Sequence, residues 1–387
     1  MTPPARMQAA IEVLTRVLAG ASAERTLTAW ARASRYAGSG DRAAVRDHVF
    51  DALRRLRSAA WAGGAGAVPI EAMDARAVMA GLLAGQGLDP APLFTGAAHA
   101  PAPLAPVAAP GPAPEDVAID APGWLRDRVG DGLDDAFRAL RDRAPVYLRA
   151  NPLRATRDDV LAALAEAGIA AASDPGAAAA IRLDGPTRRL ASLPAFRDGW
   201  FELQDVGSQA LVDALPLLPG ERVLDLCAGG GGKSLALAAR DAGPLFAYDA
   251  DPGRMRDLPA RAGRAGAAIT ILDRPEAAAP FDGVVADVPC SGSGAWRRAP
   301  EAKWRLTPER LDALAGLQDA ILARAATLVR PRGWVAYMTC SILPEENGAR
   351  VDGAARGLGL ALEGRLDLPV VAGGADGFHL SLLRRIR

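Results

Sequence analysis

Two cysteines stand where thiol chemistry is feasible, each directly after a predicted strand. Cys290 lies in ADVPCSGSG (286–294) and Cys340 in AYMTCS (336–341). Free cysteine is most often a small buried apolar residue. Here the Pro, Ser and Gly around Cys290 indicate a loop, and Asp287 precedes that cysteine by three positions. Nearby positive charge would lower a thiol pKa and make the pair a candidate for nucleophilic catalysis.

The composition disfavours other chemistry. The chain has three histidines and three cysteines, and no two cysteines form a Cys-x-x-Cys pair. We therefore expect no metal, since zinc sites draw on clustered Cys and His ligands. A Ser-His-Asp hydrolase is disfavoured by the same scarcity of histidine. Three cysteines in 387 residues form no disulfide framework, so a cytoplasmic location is expected.

A glycine run, VLDLCAGGGGKS (223–234), follows another predicted strand. A phosphate-binding P-loop requires glycine five positions before Gly232, and that position is Cys227. The dinucleotide pattern Gly-x-Gly-x-x-Gly fails as well, because its third glycine would fall on Ser234 or Leu235. The remaining interpretation is a strand, a glycine loop and a helix N-terminus, which favours a carboxylate ligand.

S-adenosylmethionine carries a carboxylate where a dinucleotide carries phosphates, and acidic residues after the next strands fit its other parts. Asp249 is positioned to accept hydrogen bonds from ribose hydroxyls, and Asp273 to face an adenine amine. We therefore predict S-adenosylmethionine as the cofactor. The predicted cofactor-binding residues are Cys227, Ala228, Gly229, Gly230, Gly231, Gly232, Lys233, Asp249, Arg254, Asp273 and Asp287.

These residues need a scaffold that brings strand ends together. From about residue 199, apolar strands alternate with helix-length segments, which predicts an α/β fold with a doubly wound parallel sheet. Ligands of such sheets bind beyond the carboxyl ends of the strands. We assign 199–387 to this Rossmann-like domain and 123–198 to a small α/β domain before it.

The N-terminal part has a different pattern of apolar residues. Residues 1–96 show helical spacing of apolar residues, and 97–122 form a Pro/Ala-rich linker. The net charge is zero, so any nucleic-acid contact must be local. The arginines of the second predicted helix fit a solvated face better than an RNA-binding patch; they are Arg42, Arg46, Arg54, Arg55 and Arg57. No uninterrupted apolar stretch predicts a membrane span.

Several segments together resemble the RNA cytosine-5 methyltransferases of the Sun/NOL1/NOP2 family. They are GWFELQDVGSQALVDAL, VLDLCAGGGGKS, DVPCSGSGAWRRAPEAKW, LQDAILARAATLVRPRGWVAYMTCSILPEENG and DGFHLSLLRRI. The Pro-Cys and Thr-Cys pairs are specific in combination. The segment SGDRAAVRDHVFDALRRLR is similar to the NusB-like domain of the bacterial 16S rRNA branch, and YLRANPL to the start of the small domain preceding the catalytic domain.

The resemblance implies roles for four residues in a class I S-adenosylmethionine-dependent methyltransferase domain. Cys340 would add to C6 of cytosine, and Asp287 would hydrogen-bond or protonate N3. Cys290 would assist proton loss from C5 and enzyme release. Lys233 would orient these groups or bind cofactor. RNA, above all 16S rRNA, is the expected partner, and the protein is expected to be a monomer.

An RNA-contacting strip is expected immediately after the Pro-Cys motif. Its members are Arg297, Arg298, Lys303 and Trp304. Arginine and lysine would pair with phosphates, and the tryptophan would stack on a base.

This chain departs from the family in the glycine loop: it has Cys-Ala-Gly-Gly-Gly-Gly-Lys-Ser where the family usually has Cys-Ala-Ala-Pro-Gly-Gly-Lys-Thr. A second departure is RPRGW (330–334), where a Pro-Gly-Gly turn is usual. A more flexible loop would weaken cofactor affinity rather than remove a reacting group. Two alternatives stay open: a tRNA cytosine-5 methyltransferase, and a non-catalytic RNA-binding protein of ribosome assembly.

Overall fold

The computed structural model describes residues 1–66, 68–105, 111–185, 190–240 and 243–386. The chain divides into two compact units. The first contains Met1–Arg143 together with Trp296–Leu306, and the second contains Ala144–Ala295 and Thr307–Arg387. Within these residues no helix is long and apolar enough to cross a membrane.

The first unit is helical. Its helices are α1 (Pro3–Leu18), α2 (Ala23–Ala33), α3 (Ser39–Arg54), α4 (Leu56–Ala62), α5 (Ala75–Gly85), α6 (Glu115–Ala118), α7 (Gly123–Val129), α8 (Asp134–Ala139) and α14 (Pro300–Arg305). Apolar residues at helical spacing form its core, for example Leu14 of α1 and Val49 of α3, both fully buried. The second predicted helix is broken at Arg55, between α3 and α4.

The first unit extends past the boundary at residue 96. Residues 106–110 of the predicted linker lie outside the described residues. The C-terminal end of the predicted linker is packed: it contains α6, and its residues Val117 and Ile119 are buried. Phe137 stacks on Trp296 at a centroid distance of 6.4 Å. These buried apolar contacts attach α6 to α8 to the helical unit.

Hydrogen bonds and ion pairs engage four of the arginines in and between α3 and α4: Arg46, Arg54, Arg55 and Arg57. Arg46 pairs with Glu24 and Arg55 with Asp142, at 2.6 and 2.9 Å between the charged atoms. Arg54 is buried and pairs with Asp51 on its own helix. Such intramolecular pairs fit a structural use of these arginines.

The second unit begins with a small sheet. It contains β1 (Val146–Ala150), α9 (Arg157–Glu166), β2 (Ala171–Ser173), β3 (Ala180–Leu183), α10 (Pro194–Arg197) and β4 (Phe201–Leu203). The strands are antiparallel in the order β2-β3-β1-β4. Thr156 caps α9, its Oγ1 accepting a hydrogen bond from the backbone N–H of Asp159 at 3.2 Å.

A larger sheet follows. Its elements are α11 (Val206–Asp213), β5 (Val223–Asp225), α12 (Gly232–Ala238), β6 (Leu245–Ala247), α13 (Leu258–Ala265), β7 (Ile269–Ile271), β8 (Phe281–Asp287), α15 (Pro308–Leu328), β9 (Val329–Thr339), α16 (Gly348–Ala354), β10 (Leu360–Leu368) and β11 (Phe378–Arg385). The strand order is β10-β11-β9-β8-β5-β6-β7. Strands β5 to β9 run parallel to one another. Strand β11 pairs antiparallel with β9 on one side and with β10 on the other.

Both faces of this sheet are apolar, as expected for a parallel sheet covered by helices. Leu224 and Val284 pack with Leu322 of α15 on one face. Val223 and Val285, their neighbours along the strands, pack with Leu237 of α12 on the other. The strand order reverses between β5 and β8, so the carboxyl ends of these two strands form a ligand-binding crevice in sheets of this type.

Candidate active site

The glycine run forms a tight loop between β5 and α12. The backbone N–H of Gly229 donates to Asp249 Oδ2 at 2.9 Å, and that of Gly231 donates to the carbonyl oxygen of Ala228 at 2.8 Å. Gly231 has φ of 84°, and a Cβ there would lie 2.2 Å from Leu258 Cδ1. Both backbone conformation and space therefore require glycine at this position.

The outer side of the loop is open. A Cβ on Gly230 would meet only Arg261 Nη1 within 4 Å, at 3.2 Å, and one on Gly232 only Gln204 Nε2, at 4.0 Å. A ligand can therefore approach this backbone closely.

The predicted ribose-binding and adenine-binding acids differ in burial. Asp249 is buried and accepts hydrogen bonds from the backbone N–H groups of Gly229 and Asp251, and it forms an ion pair with Arg254 at 3.2 Å. Asp273 is exposed, two residues beyond β7. Asp249 thus holds the glycine loop in shape, whereas Asp273 lies at the rim of the sheet.

An ion pair between Lys233 and Asp287 links α12, which follows β5, to the end of β8 at the crevice. Lys233 lies in the first turn of α12 and Asp287 ends β8, and their Nζ and Oδ2 atoms are 2.7 Å apart. Burial alone would lower the pKa of Lys233, but the charge and hydrogen bond of Asp287 outweigh it and raise that pKa. Lys233 is therefore a charged ammonium beside the cysteine loops.

Cys290 and Cys340 are neighbours, with 3.5 Å between their Sγ atoms. They follow the adjacent parallel strands β8 and β9. The hydrogen bond between the thiols lowers the pKa of Cys340 and raises that of Cys290. Lys233 also lowers the pKa of Cys340, against burial and the negative charges of Asp287 and Glu346. Cys340 is thus the more acidic of the two thiols.

The third cysteine, Cys227, differs from Cys340 in the direction of its pKa shift. Burial, the largest effect, and the nearby carboxylates of Asp225, Asp287 and Asp249 all raise the pKa of Cys227. Cys227 is therefore a protonated thiol at the base of the glycine loop.

Asp225, the last residue of β5, is a buried acid. Its Oδ2 accepts a hydrogen bond from Ser234 Oγ at 2.6 Å, and its Oδ1 has no hydrogen-bond partner among the described residues. Burial raises its pKa to about 6, against the opposing effect of the Ser234 hydrogen bond.

The predicted RNA-contacting strip takes a different position. Arg297 and Lys303 are fully buried in the first unit, so these two side chains are not exposed for the predicted contact with RNA phosphates. Lys303 Nζ donates to the carbonyl oxygen of Arg54 at 3.3 Å, and Trp304 Nε1 to that of Leu53 at 2.7 Å. The physical reason is the C-terminus of α3, whose last carbonyl groups lack partners within the helix.

The other two members of the strip remain accessible to different extents. Arg298 is exposed and Trp304 is half-buried. Burial of Lys303 lowers its pKa to about 8, which fits a structural position.

A polar group behind the cysteines is not among the residues predicted from the sequence. Asn347 brackets Cys340: its Oδ1 accepts from Thr339 Oγ1 at 2.6 Å, and its Nδ2 donates to the carbonyl oxygen of Ser341 at 2.8 Å. The adjacent Glu346 is fully buried. The signal was the polar stretch Glu345-Glu346-Asn347, which is separated by three residues from the Thr-Cys-Ser motif at the end of an apolar strand. Across the described ranges, no cluster of His, Cys, Asp and Glu could hold a metal ion.

Two family models match this chain. One, described as 16S rRNA methyltransferase RsmB/F, matches residues 212–357. The other, an RsmF/B-like, ferredoxin-like domain, matches residues 121–189. Together they span more than half of the chain.

Individual proteins agree. The chain is 36% identical over 252 residues to ribosomal RNA small subunit methyltransferase B of Xanthomonas campestris pv. campestris, covering 61% of this chain and 57% of that protein. It is 32% identical over 285 residues to the protein of the same name from Klebsiella pneumoniae subsp. pneumoniae, covering 68% of this chain and 66% of that relative. The chain therefore spans between half and two thirds of the length of these relatives.

A solved structure shows the same fold. The crystal structure of PH0851 matches with a TM-score of 0.78, covering 99% of each chain at 24% identity. The larger sheet thus has the Rossmann-like fold of S-adenosylmethionine-dependent methyltransferases. The two family models and the named relatives show that the chain belongs to the 16S rRNA methyltransferase RsmB/F family.

Proposed function

We propose that this protein methylates C5 of a cytosine in RNA, using S-adenosylmethionine and a covalent bond between Cys340 and C6. The observation that carries the proposal is the pair Cys290–Cys340, with 3.5 Å between the sulfur atoms at the ends of adjacent strands. One thiol with a lowered pKa and one with a raised pKa suit two different tasks.

The glycine loop and the acid that holds it fit the proposed cofactor. The backbone is open at Gly230 and Gly232, and Asp249 is fixed behind the loop. S-adenosylmethionine, when bound, supplies the methyl group that C5 receives. Arg254, Asp273 and Asp287 complete the proposed cofactor-binding set.

Cys340 carries the proposed nucleophilic step. Its thiolate adds to C6, a carbon–sulfur bond forms, and the electron pair of the C5–C6 double bond moves into the ring towards N3. Asp287, paired with Lys233 at 2.7 Å, passes a proton from the Lys233 ammonium to N3, which neutralises the negative charge that develops there. C5 thereby becomes nucleophilic enough to accept a methyl group. The proton returns to Lys233 when the C5–C6 double bond re-forms.

Cys290 carries the proposed release step. The hydrogen bond and negative charge of Cys340 are among the causes that raise the pKa of Cys290. Once Cys340 is a thioether on C6, its charge is gone, and Cys290 can release its own proton to solvent. The Cys290 thiolate then takes the proton from C5, the C6–sulfur bond breaks, and the C5–C6 double bond returns.

The proposed substrate is a cytosine of 16S rRNA. The names of the curated relatives support ribosomal RNA of the small subunit over tRNA. A base that reaches a half-buried thiol must be unpaired or extruded from a helix. We therefore favour a single-stranded or loop cytosine.

Methyl transfer from radiolabelled S-adenosylmethionine to RNA tests the proposal. The full chain is incubated with 16S rRNA or tRNA transcripts, and the nucleosides are separated after digestion. We expect 5-methylcytosine from 16S rRNA, its loss in Cys340→Ser, and its retention in Arg356→Ala, a control at an exposed position. Label in tRNA alone would reassign the substrate, and label in neither RNA would contradict catalysis.

A further inference from the structure

Glu346 lies between the two cysteine loops. It ends a short 3-10 turn, Pro344–Glu346, which follows β9 and the Thr-Cys-Ser motif. Its side chain is fully buried. A buried carboxylate is costly unless hydrogen bonds compensate for the lost water.

One carboxylate holds the residue that follows each cysteine. Glu346 Oε1 accepts from the backbone N–H of Ser291 at 2.8 Å, and Oε2 accepts from Ser341 Oγ at 2.6 Å. The hydroxyl of Ser291 donates to Oε2 as well. The neighbours of Cys290 and Cys340 are therefore tied to the same side chain.

A third element holds the carboxylate from behind. Gln318 of α15 donates from Nε2 both to Glu346 Oε1 and to the carbonyl oxygen of Pro289, each at 3.0 Å. Pro289 precedes Cys290, so the loop is held on both sides of its cysteine. The donors to the carboxylate are neutral, and an apolar core of equal volume would avoid its burial cost.

From these contacts we infer that Glu346 is the positioning residue that sets Cys290 against Cys340, so that the proton-accepting thiol stays beside the nucleophile. This inference rests on the proposed function. Among the described residues, Glu346 makes no hydrogen bond to either sulfur, and it acts through Ser291 and Ser341.

Loss of the carboxylate should affect release more than attack. Of the two thiols, attack on C6 involves only that of Cys340, whereas removal of the C5 proton requires Cys290 to lie beside the Cys340 adduct. A displacement of about 1 Å can cost on the order of a hundredfold in rate. Glu346→Gln keeps an acceptor for Ser291 N–H and for Gln318, and its amide can donate to the rotatable serine hydroxyls.

The first measurement follows the covalent RNA adduct through one turnover. We expect Glu346→Ala to form the adduct and to release it on the order of tenfold more slowly than wild type. Glu346→Gln should restore most of the release rate, and the affinity for S-adenosylmethionine should be unchanged. Glu363→Ala removes a partly exposed carboxylate of the same unit and serves as the control. Release at the wild-type rate in Glu346→Ala would overturn the inference.

A second measurement does not depend on the reaction. Dibromobimane bridges two thiols only when they are close, and its fluorescence reports the bridge in the full chain without RNA. We expect a lower yield in Glu346→Ala, and in Ser291→Ala if the first variant fails to fold by circular dichroism. Unchanged bridging in the folded variant would overturn the inference. If wild type forms no adduct but bridging falls as expected, the proposed function fails and the positioning contact stands.

Discussion

Lys233 and Asp287 form an ion pair of 2.7 Å between the carboxyl ends of strands β5 and β8. The side chain of Lys233 is only 10% exposed, so its charge acts through a region with little screening. The pair connects the glycine loop to the strand that leads to Cys290. Within this pair, Lys233 lowers the pKa of the Cys340 thiol, whereas Asp287 raises it.

Lys233→Met should raise the pKa of Cys340, because it removes that positive charge and leaves Asp287 without its partner. The measurement is the rate of Cys340 alkylation by iodoacetamide as a function of pH, resolved by peptide mass spectrometry. We expect the profile to move to higher pH. Arg356→Ala, at an exposed position, should leave it in place. An unchanged profile in Lys233→Met would show that Lys233 does not tune this thiol.

Asp225 should make the fold less stable as the pH rises. Burial raises its pKa from 3.8 to about 6 in the folded chain, so the folded state binds the proton more tightly than the unfolded state. Its stabilising contribution is present below pH 3.8 and is lost as the pH rises through 6. The full change is on the order of 3 kcal/mol, at about 1.36 kcal/mol for each pKa unit.

Asp225→Asn keeps the volume and an acceptor for Ser234 but cannot ionise. The unfolding free energies of this variant and wild type are compared by urea titration across that pH range. We expect the unfolding free energy of the variant to increase relative to that of wild type as the pH rises. A difference that does not depend on pH would contradict the buried acid.

Gly231→Ala should destabilise the glycine loop. A left-handed backbone costs a non-glycine residue about 1–2 kcal/mol, and the clash with Leu258 adds about 1–3 kcal/mol of overpacking. Gly230→Ala is the matched control, because its Cβ would meet only the end of the flexible Arg261 side chain. Thermal unfolding should show a larger loss of stability for the substitution at 231 than for the one at 230. Equal losses would contradict this loop geometry.

The sequence predicts the position of the reactive groups because the parallel sheet obeys simple rules. Apolar strands separated by helix-length segments bring Asp225, Asp287, Cys290 and Cys340 to one edge, since parallel strands share the direction of their carboxyl ends. The order of the strands in the sheet is harder to predict from the sequence. Nothing local in DGFHLSLLRRI, for example, indicates that β11 inserts beside β9 in antiparallel orientation.

The misses share a physical cause, contacts between residues far apart in sequence. Arg297 and Lys303 look like a solvated charged loop, but the carbonyl groups that receive Lys303 and Trp304 lie at the end of α3, about 250 positions earlier. Glu346 looks like a turn residue, but Ser291 and Gln318 supply its donors. Burial of a charged side chain depends on such partners, which local patterns do not reveal.

The covalent RNA adduct tests the central claim most directly. Full-length chain is mixed with 16S rRNA transcript and S-adenosylmethionine, and denaturing electrophoresis separates protein linked to RNA from free protein. We expect Cys290→Ala to accumulate the adduct, because the C5 proton is no longer removed, and Cys340→Ala to form none. An adduct in Cys340→Ala, or no accumulation in Cys290→Ala, would contradict the assigned roles of the two thiols.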